Sequence, residues 1–309
     1  MGKKVSVIMG AYNEKIEWLE NSVNSILNQS YRNIEFIVIL DNPDNIEIKN
    51  FMNKLQLKDN RIRFYVNEKN LGLVKTLNRA IGLSNGEYIA RMDADDIALP
   101  DRIKLQVNFL DKNAEIDLVG SKIEYIDEND NVISKDKYRP CGFEDIKRHL
   151  KYYNAFAHPT LMYRTDVLRK LNGYNEIYCA EDYDLVTRFV VNGYKTINLN
   201  NILLKYRVRS NGISQSNRTK QYITSEYIKE IYRKSIKGEN KKFDENYLIS
   251  ILENKKINKL YDDYLNALEN FEKDKSAKNI IALFKVYTNN KYAFKGITEK
   301  VFYAIKRKL

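Results

Sequence analysis

The chain is short of cysteine, histidine, proline and long apolar runs, and these shortages narrow what it can be. Its 309 residues include two cysteines, Cys141 and Cys179, too few for a disulfide framework or a cysteine-built zinc site. Two cysteines fit a reduced, cytosolic setting. No apolar stretch approaches the ~18–20 residues of a membrane-spanning helix; the longest, residues 36–40, has the length of a strand. An apolar signal-peptide core is also missing, so a cytoplasmic location is expected. Residues 1–6 fit the loose N-myristoylation pattern, yet they run straight into Val5, Val7, Ile8 and Met9, which read as a buried first strand.

What is present argues for folded domains. Hydrophobic residues make up 43% of the chain, with 23 tyrosines and 12 phenylalanines, which disfavours disorder and allows a sizeable core. The length suggests about two domains. Charge divides the chain in the same way. Residues 1–215 carry 31 Lys and Arg against 29 Asp and Glu, whereas residues 216–309 carry 21 against 12. The net charge of +11 therefore belongs mainly to the last third.

The first hundred residues alternate β-branched runs with helical patterns, the signature of a mostly parallel α/β sheet with helices on both faces. Strands are expected at residues 5–9, 34–40, 61–66 and 88–92, with helices at 17–28, 46–57 and 73–83. Beyond them, Pro100 opens a helix through Leu110. Further strands are expected at 117–125 and 160–163, a helix at 181–191, and an extended segment at 194–208. Residues 210–217 are polar, and from Thr219 onward the pattern is helical, so two domains are expected, 1–215 and 216–309.

The strongest chemical signal is Arg91-Met92-Asp93-Ala94-Asp95-Asp96, in which an apolar strand ends in alternating carboxylates. Such a strand end is where an α/β sheet presents its ligand crevice. Alternating carboxylates there can divide the work, one holding Mg²⁺ or Mn²⁺ through hard oxygen ligands and its neighbour reaching a sugar hydroxyl. Taken alone, the same residues also read as a solvated turn before a helix. Three further strand ends carry polar groups: residues 10–14, Asp41, and residues 67–73 followed by Lys75 and Asn78. Polar loops account for each one singly, but less well for their recurrence on one rim.

Over residues 5 to about 214 the chain resembles family 2 glycosyltransferases, inverting nucleotide-sugar enzymes of the GT-A fold. The likeness rests on an ordered set of motifs. These are Val7-Ile8-Met9-Gly10-Ala11-Tyr12-Asn13-Glu14; Ser25-Ile26-Leu27-Asn28-Gln29-Ser30-Tyr31; Asn70-Leu71-Gly72 with Asn78; the Asp93–Asp96 box; His158-Pro159-Thr160; and Glu181-Asp182-Tyr183-Asp184-Leu185. The resemblance implies that Ala11, Tyr12 and Glu14 lie along the nucleoside. Asp41 would accept from a uracil N3–H, and Asn70, Gly72 and Lys75 would sit near base and ribose. Asp93 would bind the ribose hydroxyls, and Asp95 the divalent ion on the diphosphate. Asp182 matches the family's catalytic base, although Glu181 and Asp182 at a helix start also read as acids that complement the helix dipole.

Two departures stand out. The family usually carries two aspartates after its second strand, where this chain has Leu40 and then Asp41. The family often ends its long extended segment in Tyr-Arg-x-His, where this chain has Tyr206-Arg207-Val208-Arg209. Arg209 cannot ligate a cation, but its planar fork suits diphosphate oxygens. Arg207, Glu181 and His158 are further candidates for donor or acceptor contacts, His158 reading equally as a satisfied core histidine.

The expected activity is metal-dependent, inverting transfer of a hexosyl-type sugar from a nucleotide-sugar, a UDP-sugar by preference. The acceptor would be a hydroxyl of a glycan or lipid-linked saccharide in cell-surface polysaccharide or capsule synthesis. Residues 210–217 would close over the donor as a lid. At the C-terminus, Ile297, Val301, Phe302, Ile305 and Leu309 share one helical face among basic residues. That face would lie on an anionic membrane, giving a peripheral location on its inner side, or pack on the enzyme or a second subunit. A carbohydrate- or nucleotide-binding scaffold on the same fold is the alternative. A nucleic-acid binder is a further one, but no recognised binding motif is present and no nucleic-acid partner is expected.

Overall fold

The computed structural model describes residues 2–209, 217–239 and 243–308. The expected lid at 210–217, except for Asn217, and the expected boundary at residue 215 lie outside the described residues. By internal contacts the chain forms two units. The first comprises residues 2–149, 154–177 and 181–209; the second comprises 150–153, 178–180 and the described residues from 217 onward.

The first unit opens with β1 (Val5–Ala11), α1 (Ile16–Leu27), β2 (Ile34–Leu40), α2 (Ile46–Lys58), β3 (Ile62–Val66), α3 (Leu73–Leu83) and β4 (Tyr88–Arg91). It continues with β5 (Ile97–Ala98), α4 (Arg102–Lys112), β6 (Ile116–Ile126), β7 (Val132–Lys135) and α5 (Phe143–His149). A 3₁₀ turn (His158–Thr160), β8 (Met162–Arg164), α6 (Thr165–Lys170), α7 (Glu181–Val191) and β9 (Lys195–Arg207) complete it. The strand expected at 160–163 starts later, because His158–Thr160 closes a 3₁₀ turn around Pro159.

The sheet runs β3-β2-β1-β4-β8-β6-β9-β5, with β7 paired to β6. β3, β2, β1 and β4 are mutually parallel. β8 runs antiparallel between β4 and β6, β9 lies parallel to β6, and β5 pairs antiparallel at the edge, so the sheet is mixed. Every residue of β2 is buried, as expected of a central strand covered on both faces. Its one charge, Glu35, is answered by Ser6 Oγ (2.5 Å), the Asn85 N–H (2.6 Å) and Arg63 Nη1 (3.0 Å). Burial pushes its pKa up, but these donors overcome that and hold it at about 2. Gly120 of β6 permits a close approach, since a Cβ there would lie 2.3 Å from Asn198 Oδ1 and 2.6 Å from the Phe156 ring.

For function, the decisive topology is the order 3-2-1-4. Chain direction reverses its progress across the sheet between β1 and β4, and the carboxyl ends of both strands open on one rim.

The second unit contains α8 (Arg218–Ser235), α9 (Glu245–Glu253), α10 (Lys255–Lys273), α11 (Ala277–Asn289) and α12 (Lys291–Lys308). Tyr264, Leu265 and Ala293 form one apolar cluster, with Tyr222, Leu268, Val286 and Ile297 packed against them, and Ile223, Tyr227, Ile228, Tyr232 and Leu248 are buried as well. Tyr222 stacks edge-on against Tyr264, and Tyr261 lies face to face with Tyr292 at 4.3 Å. Buried Glu226 pairs with Lys229 and with Lys295 (3.1 Å), and Glu299 pairs with Arg233 (2.7 Å). Asp244 and Asn254 cap α9 and α10 by accepting first-turn N–H bonds. No helix among the described residues is long and apolar enough to cross a membrane.

Candidate active site

β4 ends in Arg91, and the next five residues turn three carboxylates in different directions. Asp93 stays partly exposed and pairs with the buried Arg91 guanidinium. Its carbonyl accepts from Ser22 Oγ of α1 (2.7 Å). Asp95 Oδ2 accepts from Arg209 Nε (2.8 Å). Asp96 faces inward, where Oδ1 accepts the Arg207 N–H (2.8 Å). Burial pushes the Asp95 carboxyl up to about 6, with Asp93 and then Glu14 adding repulsion against the pull of Arg209. Asp96 is raised as well, by burial and then by Asp93 and Asp95. Glu14, at the end of β1, is thus drawn into the same field as the β4 box.

The N-terminus of α7 faces that field. Asp182 Oδ2 accepts from Asn154 Nδ2 (2.8 Å), and Oδ1 from the Tyr183 N–H (2.7 Å). Burial lifts Asp182 to about 6, with Asp93 adding to the lift and both hydrogen bonds opposing it. Burial and the Asp182 charge lift Glu181 further, to about 8. His158 Nδ1 stands 3.7 Å from Glu181 Oε1, beyond hydrogen-bond reach. Its Nε2 is bonded to the Tyr174 hydroxyl (2.8 Å), which meets the Tyr163 hydroxyl at 3.0 Å. Burial and then Arg91 depress His158 well below its ordinary value, so the ring is neutral.

A second group of expected residues is gathered by Asp41. Its carboxylate accepts from Asn67 Nδ2 (2.6 Å), the Leu71 N–H (2.8 Å) and the Gly72 N–H (2.8 Å), and its own N–H donates to the Ala11 carbonyl (2.7 Å). Asn70 Oδ1 also accepts from the Gly72 N–H. Gly72 has φ +83°, a conformation that glycine adopts without the Cβ penalty. Glu14 Oε2 accepts the Tyr12 N–H (2.7 Å), and the Tyr12 ring is exposed. Lys75 pairs at the surface with Glu176 (3.2 Å).

Arg207, a candidate for donor or acceptor contacts, has a buried side chain that bonds within the protein. Nε donates to the Asp95 carbonyl (2.8 Å), Nη1 to the Asp127 carbonyl (3.0 Å), and Nη2 pairs with Asp130 (2.5 Å). It fastens the end of β9 to the carboxylate box. Among the described residues, no group of three or more His, Cys, Asp and Glu side chains is arranged to hold an ion. Asp93 and Asp95 do supply the one or two carboxylates with which Mg²⁺ or Mn²⁺ commonly sits beside substrate phosphates.

A family model described as glycosyl transferase family 2 matches residues 6–171. An uncharacterized glycosyltransferase of Methanocaldococcus jannaschii is 38% identical over 220 residues, covering 71% of this chain and 76% of the relative. The chain belongs to glycosyl transferase family 2. This glycosyltransferase is also 36% identical over 216 residues to the O-antigen biosynthesis glycosyltransferase WbnJ of Escherichia coli, covering 69% of this chain and 82% of WbnJ. Its fold is shared with S. aureus TarS 1-349 in complex with UDP-GlcNAc, at TM-score 0.63, 17% identity, and coverage of 94% and 81%. It is shared likewise with the mannosyltransferase PcManGT of Pyrobaculum calidifontis in complex with GDP-Man and Mn²⁺, at TM-score 0.59, 17% identity, and coverage of 99% and 81%. The GT-A architecture expected from the motifs is the one observed.

Two residues that bear on these carboxylates escape a reading by motif. Trp18 is the chain's single tryptophan, and the guanidinium groups of Arg207 and Arg209 lie 5.1 and 6.0 Å from its ring. Asn154, which orients Asp182, carries no sequence signal.

The raised carboxyls have a consequence for stability. A carboxyl whose folded pKa exceeds its unfolded value stabilises fully below the unfolded value and loses that contribution as pH rises through the folded one. For Asp95 and Asp182 the loss falls near 6, and for Glu181 near 8. The melting temperature of the free enzyme should therefore fall between about pH 5 and about pH 8, and Asp182→Asn should reduce that fall by a few degrees. Thermal unfolding across the range reads this, and an Asp182→Asn slope equal to or steeper than wild type contradicts it.

Proposed function

We propose that this glycosyltransferase moves a sugar from a nucleotide-sugar, a UDP-sugar, to a hydroxyl of a glycan or lipid-linked saccharide, with inversion, in polysaccharide synthesis on the cytoplasmic side. The observation that carries the reading is Asp182. Its carboxylate is recessed but partly accessible at the start of α7, oriented by Asn154 and lifted to about 6. A general base works best with a pKa near the working pH. Asp182 takes the acceptor hydroxyl proton as that oxygen attacks the anomeric carbon, and the nucleoside diphosphate leaves from the opposite face. Adjacent Glu181, lifted to about 8, stays protonated at neutral pH and so does not compete for that proton.

Asp93, the carboxylate of the box that stays partly exposed, meets the ribose hydroxyls. Asp95, with Asp93 beside it, would hold the divalent cation, which when bound offsets charge on the diphosphate. The surplus of carboxylates at this rim and the Mn²⁺ in the PcManGT complex support that assignment. With three of roughly four acceptor sites on its carboxylate already filled, Asp41 organises the 70–72 loop and keeps one site for a base N–H. Ala11, Tyr12 and Glu14 line the nucleoside from the end of β1. Asn70, Gly72 and Lys75 approach it from the loop before α3 and that helix's first turn. His158, in its buried tyrosine chain, shapes the acceptor side as a neutral ring.

Arg209 replaces the histidine that the family often carries. In the free enzyme it answers Asp95 and lies beside Trp18. In transfer its planar fork pairs with diphosphate oxygens as their charge grows. The polysaccharide setting is supported by the relatives WbnJ and the amylovoran biosynthesis glycosyltransferase AmsE of Erwinia amylovora, which is 31% identical over 233 residues, covering 74% of this chain and 84% of AmsE.

A donor panel with Mn²⁺, scored for nucleoside diphosphate release, identifies the donor even without an acceptor, and release from UDP-sugars above other bases is expected. Asp182→Asn should lower kcat by about 10²–10⁴-fold with nucleotide affinity kept; loss of both contradicts the base assignment. Arg209→Ala should lower kcat at least about tenfold, with partial recovery in Arg209→Lys, which keeps the charge but loses the fork. An Arg209→Ala enzyme with wild-type kcat overturns the leaving-group role.

A further inference from the structure

The apolar stripe expected on the last helix is divided by the structure. Ile297 turns inward against the Tyr264 core, and Ala293 is fully buried. The side chains of Ile305 and Leu309 lie outside the described residues. A different apolar face is left outside, shared by α11 and α12. On α11, Ile280, Ile281 and Phe284 fall on one side, and the latter two are 67% and 65% exposed. On α12, Phe294, Val301 and Phe302 follow a seven- and eight-residue spacing, which puts them on one side as well, each more than half exposed. Tyr287 joins the helices, its ring 6.4 Å from Phe284 and 5.0 Å from Phe294. The exposed side chains thus form a joined patch and not scattered residues, and such patches mark interaction sites.

The charge around the patch selects its partner. Lys278 and Lys285 on α11 and Lys291 at the start of α12 have no ion-pair partner among the described residues. Residues 276–298 contain no Asp or Glu. The first acid beyond them, Glu299, is engaged by Arg233. A second copy of this chain would bring the same unanswered lysines to the same face, so self-association there would press like charges together. A surface that is apolar beneath and negative above fits both features.

We propose that α11 and α12 form a docking face for an anionic lipid bilayer, with Ile280, Ile281, Phe284 and Phe294 entering the headgroup boundary and Lys278, Lys285 and Lys291 meeting the lipid phosphates. The inference stands on the helical unit alone and does not depend on the donor or the base. It would hold the enzyme at the surface where a lipid-linked acceptor resides.

The test is co-sedimentation of the full-length protein with vesicles of phosphatidylcholine, alone or mixed about 70:30 with phosphatidylglycerol, at low and raised salt. Binding to the anionic vesicles only, weakened by salt, is expected. Lys278→Glu/Lys285→Glu/Lys291→Glu should lower the partition on the order of 10²-fold. Phe284→Ser/Phe294→Ser should lower it at least about tenfold. Both sets are exposed, and circular dichroism checks that each variant is folded. Three results overturn the proposal: no wild-type binding to anionic vesicles, wild-type binding retained by the Phe284→Ser/Phe294→Ser variant, or a dimer in sedimentation equilibrium that this variant abolishes.

Discussion

Asp93, Asp95, Asp96, Glu181 and Asp182 crowd one end of the sheet, where Arg91 pairs with Asp93, Arg209 pairs with Asp95 and the Arg207 backbone N–H donates to Asp96. The balance is incomplete. Burial first, and then repulsion between the carboxylates, holds Asp95 and Asp182 near 6 and Glu181 near 8, so the free site carries electrostatic strain. Much of the surrounding structure makes that strain tolerable. Arg207 ties the end of β9 to the box, Trp18 lies beside two of the arginines, and Ser22 holds the Asp93 backbone. Sites that break the usual rules of burial at a cost in stability are commonly functional ones.

Topology explains why the strain collects there. The 3-2-1-4 strand order opens a crevice beside β1 and β4, and both strands deliver polar residues into it at their carboxyl ends. α7 adds Glu181 and Asp182 at its N-terminus, where the helix dipole favours negative charge. Asp41 shapes the neighbouring loop by taking two consecutive backbone N–H groups, so one carboxylate serves architecture while others face the crevice.

The parallel half of the sheet was legible because its strands are apolar runs bounded by turns, and its helices show clear periodicity. β5, β7 and α6 were not anticipated, since pieces of two, four and six residues carry too little pattern. In the site, the carboxylate motifs were visible from their order alone. Their partners were not: Asn154 reaches Asp182 across 28 positions, and Arg209 reaches Asp95 from just past the end of β9, far along the chain. Nor do the sequence neighbours of Arg207 reveal that its guanidinium turns inward to Asp127 and Asp130. The tail shows the same limit. Helical spacing identified an amphipathic end, but packing against Tyr264 decided which apolar residues turned inward, and the exposed patch is shared between α11 and α12.

A divalent cation together with a nucleoside diphosphate would complete this acidic rim. Thermal unfolding near pH 8 with Mn²⁺ and UDP, compared between wild type and Asp95→Asn, tests it without requiring the sugar or the acceptor. The pair should raise the wild-type melting temperature by several degrees, and the rise should be largely lost in Asp95→Asn. Equal rises in both proteins, or none in wild type with any nucleoside diphosphate, contradict it.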